Sequence, residues 1–444
     1  MRNQHRTTVP SRLFGLGHLI RLRAGQLAFY RDMQARHGDA VRLRLGPWHS
    51  WLLFHPQAIE AVLATRAASF IRFEPVMRVL AQWNGESLLV SEGERWHARR
   101  RKVLPAFATR RMPGYAERIV ERTLALRDRW EAADAAIIDT DREMVALTLE
   151  IAADTLFGEA LGARAQAIGQ SVAVLSDVAF RESTSPLVLP DWLPLPGKAR
   201  KRRAIADMDA LVRGIVAARM AQPASDRGDL LSILIEAETD PAAIRDEVMT
   251  LLIAGHETGG ALVSWSCDLL ARHPDELAAV QAELDHALDG RSPGAADLER
   301  LPILRAVVAE ALRLYPPAYS LFPRRALEDV VVGDMTIRKG DLVQLIPFIT
   351  QRDPRWFPAP EDFRPARFLA APSWPRYAYF PFGAGPRVCI GQAFGLLEAS
   401  LVLATLLQRL SPEPAASQPD PDAKFSLRPK GGLPQRWRRR SGRI

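Results

Sequence analysis

The decapeptide FGAGPRVCIG, at Phe382 to Gly391, sets a cysteine among glycines and a cation, and Cys389 is one of only two cysteines in 444 residues. A cysteine binds metal as its thiolate. Gly383 and Gly385 permit positive φ and a close approach of the backbone to a flat ligand, and Arg387 adds a positive charge. A lone cysteine is most often a small buried apolar residue. The loop as a whole instead favours a metal-bound sulfur anion.

A second suggestive segment lies inside a long apolar stretch that predicts one central helix from about Pro241. Its middle contains Glu257 and Thr258, which would be expensive to bury unpaired. Gly259 and Gly260 follow, and each glycine costs up to about 1 kcal/mol in a helix interior. A hydroxyl bonded to the preceding turn would account for the threonine alone. The combined local cost indicates a functional segment.

Two other glycine-based sites are weighed against these motifs. GAGPRV has the first two glycines of a dinucleotide-binding loop, but Val388 stands where the third should be. HETGG begins like the zinc motif His-Glu-x-x-His, yet Gly260 replaces the second histidine. The sequence therefore disfavours both a dinucleotide-binding enzyme and a zinc hydrolase.

A third motif lies in LPILRAVVAEALRLYPP, a predicted helix that begins near Pro302 and stops at the double proline. Glu310 and Arg313 are one turn apart there. Alone, such a pair is a surface ion pair worth only about 0.2 to 0.5 kcal/mol. Further along the chain, PARF at Pro365 to Phe368 supplies Arg367.

Taken together, these motifs resemble the cytochrome P450 family. Its haem-ligand loop reads Phe-x-x-Gly-x-Arg-x-Cys-x-Gly, and every fixed position is filled here. AGHET, at Ala254 to Thr258, resembles the oxygen-binding groove of the family, and the Glu-x-x-Arg and Pro-x-Arg-Phe stretches follow in the family's order. The resemblance spans nearly the full chain. It implies a mainly α fold with small β-sheets, a triangular helical prism with the haem between the long central helix and the cysteine loop.

The resemblance also assigns roles in the reaction. Cys389 would be the ligand of the iron in heme b (iron-protoporphyrin IX), and Ala254 with Gly255 would open the helix for dioxygen. Thr258 and Glu257 would be the catalytic pair that delivers protons, as general acid chemistry requires a relay within hydrogen-bond reach. The family more often has Thr or Ser where this chain has Gly259, which leaves the proton path open.

Other residues are expected to hold the cofactor because haem carries two propionates. Arginine suits carboxylates. The resemblance implies that several arginines and the ring of Trp96 contact the propionates. Arg325 is the alternative to Arg324, and His97 is the alternative to Trp96. The full expected set of cofactor-binding residues is Cys389, Trp96, Arg100, Arg324, Arg387, Phe382, Gly383, Gly391, Ala254 and Gly255.

The same resemblance implies a structural network. Glu310 and Arg313 would be joined by Arg367, with Ala366 in place of the commoner glutamate. A buried network of three charges would fix the loop that presents Cys389 rather than take part in the chemistry.

The implied activity is that of a monooxygenase, which inserts one oxygen atom from O2 into a C–H or C=C bond. A peroxide-driven relative and a haem-binding sensor or carrier are the alternatives; the presence of Glu257 and Thr258 disfavours the first. Electrons would come from a separate acidic ferredoxin or flavodoxin-type protein with its NAD(P)H reductase. We expect a single domain over residues 1–444, with no fused reductase or ferredoxin domain.

Apolar segments indicate a lipophilic substrate. FIRFEPVMRVLAQW, SPLVLPDWLPLPG and YSLFP are rich in Phe, Leu, Val, Pro and Trp and are expected to cover the pocket. A fatty acid and a terpenoid are both compatible with this composition.

Composition and charge limit the remaining classes of protein. The amino terminus is basic and contains no apolar run near the about 18 to 20 residues that span a bilayer. Two cysteines argue against a disulfide-built secreted protein, and we expect a monomer in a bacterial cytoplasm. The net charge is +8, with basic runs at 99–102 and 436–440. Such runs first suggest nucleic acid, but no binding module accompanies them, and an acidic electron donor is the better partner.

Secondary structure follows from hydrophobic periodicity. AERIVERTLALRDRWEAA, DREMVALTLEIAADTLFG and GQAFGLLEASLVLATLLQRL predict helices. AVRLRLGPWHSWLLF and VVVGDMTIRKGDLVQLI predict short strands.

Overall fold

A computed structural model describes residues 6–10, 15–133, 136–185, 188–221 and 228–440. Within these ranges the chain is mostly helical. The helices are α1 (Leu16–Ala24), α2 (Gln26–His37), α3 (Pro56–Glu60), α4 (Glu74–Asn84), α5 (Gly93–Val103), α6 (Met112–Ala133), α7 (Thr140–Phe157), α8 (Ala165–Ser183), α9 (Pro196–Met220), α10 (Leu230–Ala237), α11 (Pro241–Arg272), α12 (Pro274–Leu288), α13 (Pro302–Leu314), α14 (Pro347–Thr350) and α15 (Gln392–Leu407).

The strands form one mixed sheet and three small antiparallel sheets. They are β1 (Arg6–Thr8), β2 (Ala40–Leu45), β3 (Trp48–Leu53), β4 (Phe70–Arg72), β5 (Ile137–Asp139), β6 (Arg324–Ala326), β7 (Val330–Val332), β8 (Met335–Ile337), β9 (Leu342–Leu345), β10 (Leu410–Pro414), β11 (Pro421–Ala423), β12 (Leu427–Pro429) and β13 (Pro434–Arg439). The mixed sheet has six strands in the order β1-β2-β3-β9-β6-β4. The others pair β10-β13-β5, β11-β12 and β7-β8.

The long helix α11 runs through the centre of the fold. Its start is fixed by Asp240, whose side chain accepts a 3.0 Å hydrogen bond from the Ala242 backbone N–H, and by proline in the first turn. Most of its residues are buried, and it packs against α4, α7, α9, α13 and α15. A Cβ atom at Gly260 would lie 2.9 Å from the Cα of Val145, so glycine is what allows α7 to approach this closely.

Three apolar clusters make up the core. The largest joins α4 to α13 with α15, the second lies between the six-stranded sheet and the segment around α3, and the third packs α1 and α2 against β2 and β3. The site described below lies where the helical cluster meets the sheet, because β4, β6, α5 and the cysteine loop all contribute to it.

The predicted fold class is confirmed, as a mainly helical chain with small sheets. The central helix begins at Pro241 as expected, and the predicted strands appear as β2, β3, β7, β8 and β9. One boundary was wrong: the helix after the cysteine loop ends at Leu407, because Leu410 already pairs with Arg439 in the sheet of β10 and β13. Among the described helices, none combines the length and the apolar character that crossing a membrane requires.

Candidate functional site

The cysteine loop is a tight turn held by its own backbone. The N–H of Cys389 donates a 3.0 Å hydrogen bond to the carbonyl of Phe382, and the N–H of Val388 donates to Gly385 at 3.1 Å. Gly385 has φ of +69°, and a Cβ atom there would lie 1.8 Å from the carbonyl oxygen of Leu63. The glycine is therefore required twice, for its left-handed backbone and for the close contact with the neighbouring chain.

The surroundings of the Cys389 thiol both oppose and favour its ionisation. The residue Cys389 is exposed to solvent, yet protein atoms lie close around its sulfur. Burial raises the pKa of Cys389, whereas the backbone N–H of Gly391 and the cation of Arg100 act in the opposite direction. Since α15 begins directly after Gly391, its free N–H groups also favour a negative charge here. A coordinated metal ion would complete the deprotonation.

A buried ion-pair network lies behind this loop. Both nitrogens of the Arg313 fork donate to Glu310, at 2.7 and 2.8 Å, and both side chains are 0% exposed. Arg367 donates to the same carboxylate at 3.2 Å. The expected three-membered network therefore forms. An additional donor was not foreseen, since the backbone N–H of Arg364 also reaches Glu310, at 2.9 Å.

Gln351 connects that network to the cysteine loop. Its amide nitrogen donates to the carbonyls of Leu312 and Arg313, at 3.0 and 3.1 Å. Its amide oxygen accepts a 3.0 Å bond from the N–H of Phe380, two residues before the loop begins. The carbonyl of Gln351 in turn accepts from Arg313, at 3.0 Å. The helix α13 thus fixes the entry of the chain into the loop through one fully buried side chain.

Four arginines converge beside the loop and face one acid. Arg387 pairs with Glu92 and donates to the carbonyl of Ser91 at 3.0 Å, and Arg72 pairs with Glu92 at 2.7 Å. Arg100 donates to the carbonyl of Val388 at 3.2 Å, and Arg324 to that of Val62 at 3.2 Å. A positive charge in excess of this kind indicates a site for an anion.

Burial and, after it, mutual repulsion lower the pKa of two of these arginines. Burial lowers the pKa of Arg387 to about 9, with the cation of Arg72 adding to the shift. Burial likewise lowers the pKa of Arg324 to about 10, again with Arg72 contributing. The guanidinium of Arg387 also lies 4.0 Å from the centre of the Trp96 ring, which favours the charged form.

The two alternatives left by the sequence differ in their surroundings. Arg325 pairs with Glu74 and points away from the cluster, whereas Arg324 is buried among the other arginines. His97 is exposed, while Trp96 is buried against Arg100 and Arg387. The geometry therefore favours Arg324 over Arg325 and Trp96 over His97.

The central helix has one accessible strip in its buried middle. Ala254, Gly255 and Thr258 are accessible on one side of α11, whereas His256, Glu257 and Gly259 are buried. The hydroxyl of Thr258 donates to the carbonyl of Ala254 at 2.8 Å. That bond uses the hydroxyl hydrogen and leaves its lone pairs to accept.

Glu257 points away from this strip. It is buried and accepts a 2.6 Å hydrogen bond from the hydroxyl of Ser176 on α8. Both residues line a groove of about 2030 Å³ between α7, α8, α9 and the hairpin of β11 and β12. Burial works against the charged form of Arg428, from that hairpin, but Asp141 and, after it, Glu257 raise its pKa. The acid is therefore in contact with water-accessible space.

These residues fit a haem group. A sulfur donor that becomes anionic suits iron, four cations against one acid suit two propionates, and an accessible strip of small residues on a buried helix suits a flat ligand. The cofactor would be held by Cys389, Trp96, Arg100, Arg324 and Arg387, with Arg72 in addition.

Comparison with known proteins gives the same class. The family model for cytochrome P450 matches residues 8–435. Cyclooctatin synthase of Streptomyces melanosporofaciens is 36% identical over 97% of this chain and 94% of that protein. Cyclooctat-9-en-7-ol 5-monooxygenase of the same organism is 35% identical, over 92% of this chain and 90% of that protein. The crystal structure of CYP175A1 from Thermus thermophillus superposes with a TM-score of 0.79 at 30% identity, over 98% and 99% of the two chains.

The chain belongs to the cytochrome P450 family. It is a monooxygenase of the haem-thiolate class, with heme b as cofactor. Members of this class use a lipophilic substrate, O2 and a redox partner.

Sequence reasoning missed several residues of the site. Arg72 lies in the apolar segment that begins at Phe70, and a cation inside a short, partly buried strand is a signal of function. Glu92 and Ser176 carried no signal, since their importance comes from partners far away in the chain. The hydrophobic segment at 185–197 is partly outside the described residues, and its Trp192 is 77% exposed.

We predict that alanine at Gly383 lowers the unfolding free energy less than alanine at Gly385. Both have positive φ, +71° and +69°, so each alanine costs about 1 to 2 kcal/mol of backbone strain. At Gly383 the nearest atom to a Cβ is Leu321 Cδ1 at 3.9 Å, whereas at Gly385 the Cβ overlaps a backbone oxygen. Gly385→Ala should therefore cost about 3 kcal/mol or more in unfolding free energy. Urea unfolding and haem content measure the difference; equal losses in the two variants would contradict this account.

Proposed function

We propose that this enzyme oxygenates a lipophilic terpenoid-like substrate, with Cys389 as the iron ligand and Thr258 and Glu257 as its proton path. The observation that supports the ligand is the loop itself, in which backbone bonds, a helix start and Arg100 all surround one accessible sulfur. When bound, the haem supplies the activation of dioxygen and the transfer of one oxygen atom. The protein binds, orients and moves protons.

The arginine cluster is proposed to orient the cofactor. Its four cations approach from α5, β4, β6 and the cysteine loop, so they define a fixed direction for two carboxylates. Arginine donates two parallel bonds to a carboxylate, which adds directional specificity to the charge attraction. Glu92 keeps Arg387 and Arg72 in place by pairing with both.

Proton delivery is proposed to run from the groove to the accessible strip of α11. Glu257 lines the groove and can exchange protons with water there, with Ser176 as its hydrogen-bond donor. Thr258 is the next residue and presents its hydroxyl on the accessible side. Protons would pass along adjacent residues that lie on different faces of one helix. Gly255 gives the room that a close ligand needs.

Relatives support the choice of substrate class. One relative is named as the 5-monooxygenase of an unsaturated alcohol, cyclooctat-9-en-7-ol, and a second as cyclooctatin synthase. In this chain Leu321 lies beside the cysteine loop, 3.9 Å from the place of a Cβ at Gly383. The rings of Phe322 and Phe425 are 6.4 Å apart nearby. Apolar and aromatic side chains of this kind would suit a cyclic terpenoid better than a charged ligand.

The electron donor is proposed to be a separate acidic ferredoxin or flavodoxin-type protein. Arg101 and Arg110 are exposed near the haem-facing helix α5 and can meet an acidic partner. Arg99 and Lys102 are less available, because they pair with Glu247 and Glu238. We also propose a single catalytic domain, a monomer and a cytoplasmic location.

The cations near the carboxyl end have partners within the fold and do not form a free basic tail. Arg438 pairs with Glu413 and Arg440 with Asp285, while Arg439 donates to the carbonyl of Glu131. Trp437 is buried. Most of this run belongs to the sheet of β10 and β13, and we assign the docking of the electron donor to the exposed arginines near α5.

Replacement of Cys389 by alanine tests the ligand. We expect the reduced, carbon monoxide-treated protein to lose the red-shifted absorption of a thiolate-bound haem. The matched control is Cys267→Ala, since Cys267 is buried in α11 and burial raises its pKa. The control should keep the thiolate band. The band in Cys389→Ala, or its loss only in the control, would refute the assignment.

Thr258→Ala tests the proton path. Because general acid chemistry contributes about 10² to 10⁴-fold, we expect product formed per NAD(P)H consumed to fall by about tenfold or more, with hydrogen peroxide rising to match. Thr258→Ser keeps the hydroxyl and should stay near the wild type. Peroxide yield, product and cofactor consumption are measured together. Unchanged coupling in the alanine variant would remove Thr258 from the path.

A spectral titration tests the substrate class. Purified protein is titrated with cyclic terpenoid alcohols, linear fatty acids and steroids, and the shift of the haem from low to high spin is recorded. We expect the terpenoid alcohols to give the largest shift at the lowest concentration. A stronger response to a fatty acid would replace the proposed substrate class while leaving the reaction class unaffected.

A further inference from the structure

One buried carboxyl group is not used by the site described above. Glu398 lies in the middle of α15 and is only 1% exposed. Neither of its two carboxyl oxygens accepts a hydrogen bond from a described residue. A buried polar group without a partner costs free energy, so its presence needs a physical explanation.

Glu398 lies directly against the central helix. A Cβ atom at Gly259 would be 2.4 Å from Glu398 Oε2 and 3.4 Å from Cδ. The next neighbour of that position is the methyl group of Thr148, at 3.5 Å. The carboxyl group therefore fills the space that a side chain at position 259 would take, one residue after Thr258.

The position of this oxygen suggests which bond it can make. In a helix, a serine or threonine hydroxyl donates to the carbonyl four residues earlier. Thr258 does so to Ala254 at 2.8 Å. The equivalent acceptor for a hydroxyl at position 259 is the carbonyl of Gly255. An oxygen 2.4 Å from the Cβ position of Gly259 occupies the space against α11 that such a side chain would use.

A carboxyl group can donate a hydrogen bond only when it is protonated. Burial raises the pKa of Glu398 well above its usual range. No charged group on the elements packed against α15 contributes to this shift among the described residues, neither His256 and Glu257 in α11 nor the Glu310–Arg313 pair in α13. Burial therefore favours the neutral, protonated form of this side chain.

We propose that Glu398 donates a hydrogen bond to the backbone of α11 beside Gly259 and that this bond positions Thr258. The carbonyl of Gly255 belongs to the turn between Ala254 and Thr258, so a donor held by α15 fixes the shape of that turn. Glu398 is a positioning residue, since it acts through α11. Its functional part rests on the proposed role of Thr258.

Three variants separate the donor from the charge. Glu398→Gln keeps an N–H donor, whereas Glu398→Leu has similar size and none. The double variant Glu398→Ala with Gly259→Ser moves a hydroxyl donor onto α11 itself and removes the carboxyl that would collide with it.

The coupling of electrons to product reports the positioning of Thr258. We expect Glu398→Leu to lower product per NAD(P)H by about fivefold, the equivalent of about 1 kcal/mol for one hydrogen bond. Glu398→Gln should stay within about twofold, and the double variant should recover most of the loss. Wild-type coupling in Glu398→Leu, in a protein with the normal thiolate band, would overturn the positioning role.

Urea unfolding tests the bond without turnover, so it remains informative if the proposed function is wrong. If Glu398 donates a bond, Glu398→Leu should unfold at a lower urea concentration than Glu398→Gln at pH 7. If it donates none, Glu398→Leu removes a buried unpaired group, so this variant should unfold at a higher urea concentration than Glu398→Gln. That result would overturn the proposal.

The pH dependence of unfolding tests the neutral state. Because the pKa of Glu398 is raised in the folded chain, the folded state holds the proton longer than the unfolded one. The wild type should therefore lose stability relative to Glu398→Gln as pH rises above about 4.3, the ordinary value for glutamate. A constant difference between the two proteins from pH 4 to pH 8 would show an ionised carboxylate and overturn the proposal.

Discussion

The geometry of the cysteine loop depends on the buried pair of Glu310 and Arg313. Removing two ions from water costs several kcal/mol for each ion, and the pair is favourable only when the remaining donors are satisfied. Here the other N–H groups of Arg313 donate to the carbonyls of Gln351, Pro360 and Asp362, at 3.0, 2.7 and 3.1 Å. An alternative path of the chain between 351 and 362 would leave buried N–H donors of Arg313 without acceptors. The network therefore selects one path for the segment that enters the loop, and it does so with atoms that take no part in the chemistry.

The arginine cluster imposes the opposite condition, a local excess of one charge. Arg72, Arg100, Arg324 and Arg387 approach one another with Glu92 as their acidic partner, and burial together with mutual repulsion lowers the pKa of Arg324 and Arg387. A ligand with two carboxylates removes this repulsion when it binds. Because a ligand that binds only the folded state stabilises it, cofactor binding and the folding of this region are coupled. The residues that we propose to orient the haem thus make the site less stable without it.

Local sequence patterns were enough to predict α11, α13, the strands around Gly46 and the cysteine loop, because periodicity, capping residues and obligatory glycines are short-range properties. The network of Glu310, Arg313 and Arg367 was predictable only through the family resemblance. Arg72, Ser176 and Glu398 were not predicted, because their roles come from contacts between segments that are distant in the chain. The same holds for the basic runs, since the partners of Arg99, Lys102, Arg438 and Arg440 cannot be read from neighbouring residues.

The two carboxyl groups around α11 differ in a way that limits what each can do. Glu257 lines the groove on the side of α8, whereas Glu398 is sealed between α11 and α15 and is not among the described lining of that groove. Each turnover consumes protons, so the group that supplies them must be refilled from water. The proposed role of Glu257 agrees with its place in the lining of the groove, whereas the buried Glu398 has no such access. A hydrogen bond from Glu398 can therefore position the turn that contains Thr258, but Glu398 cannot supply protons to that residue. The contact between Glu398 and α11 lies at Gly259.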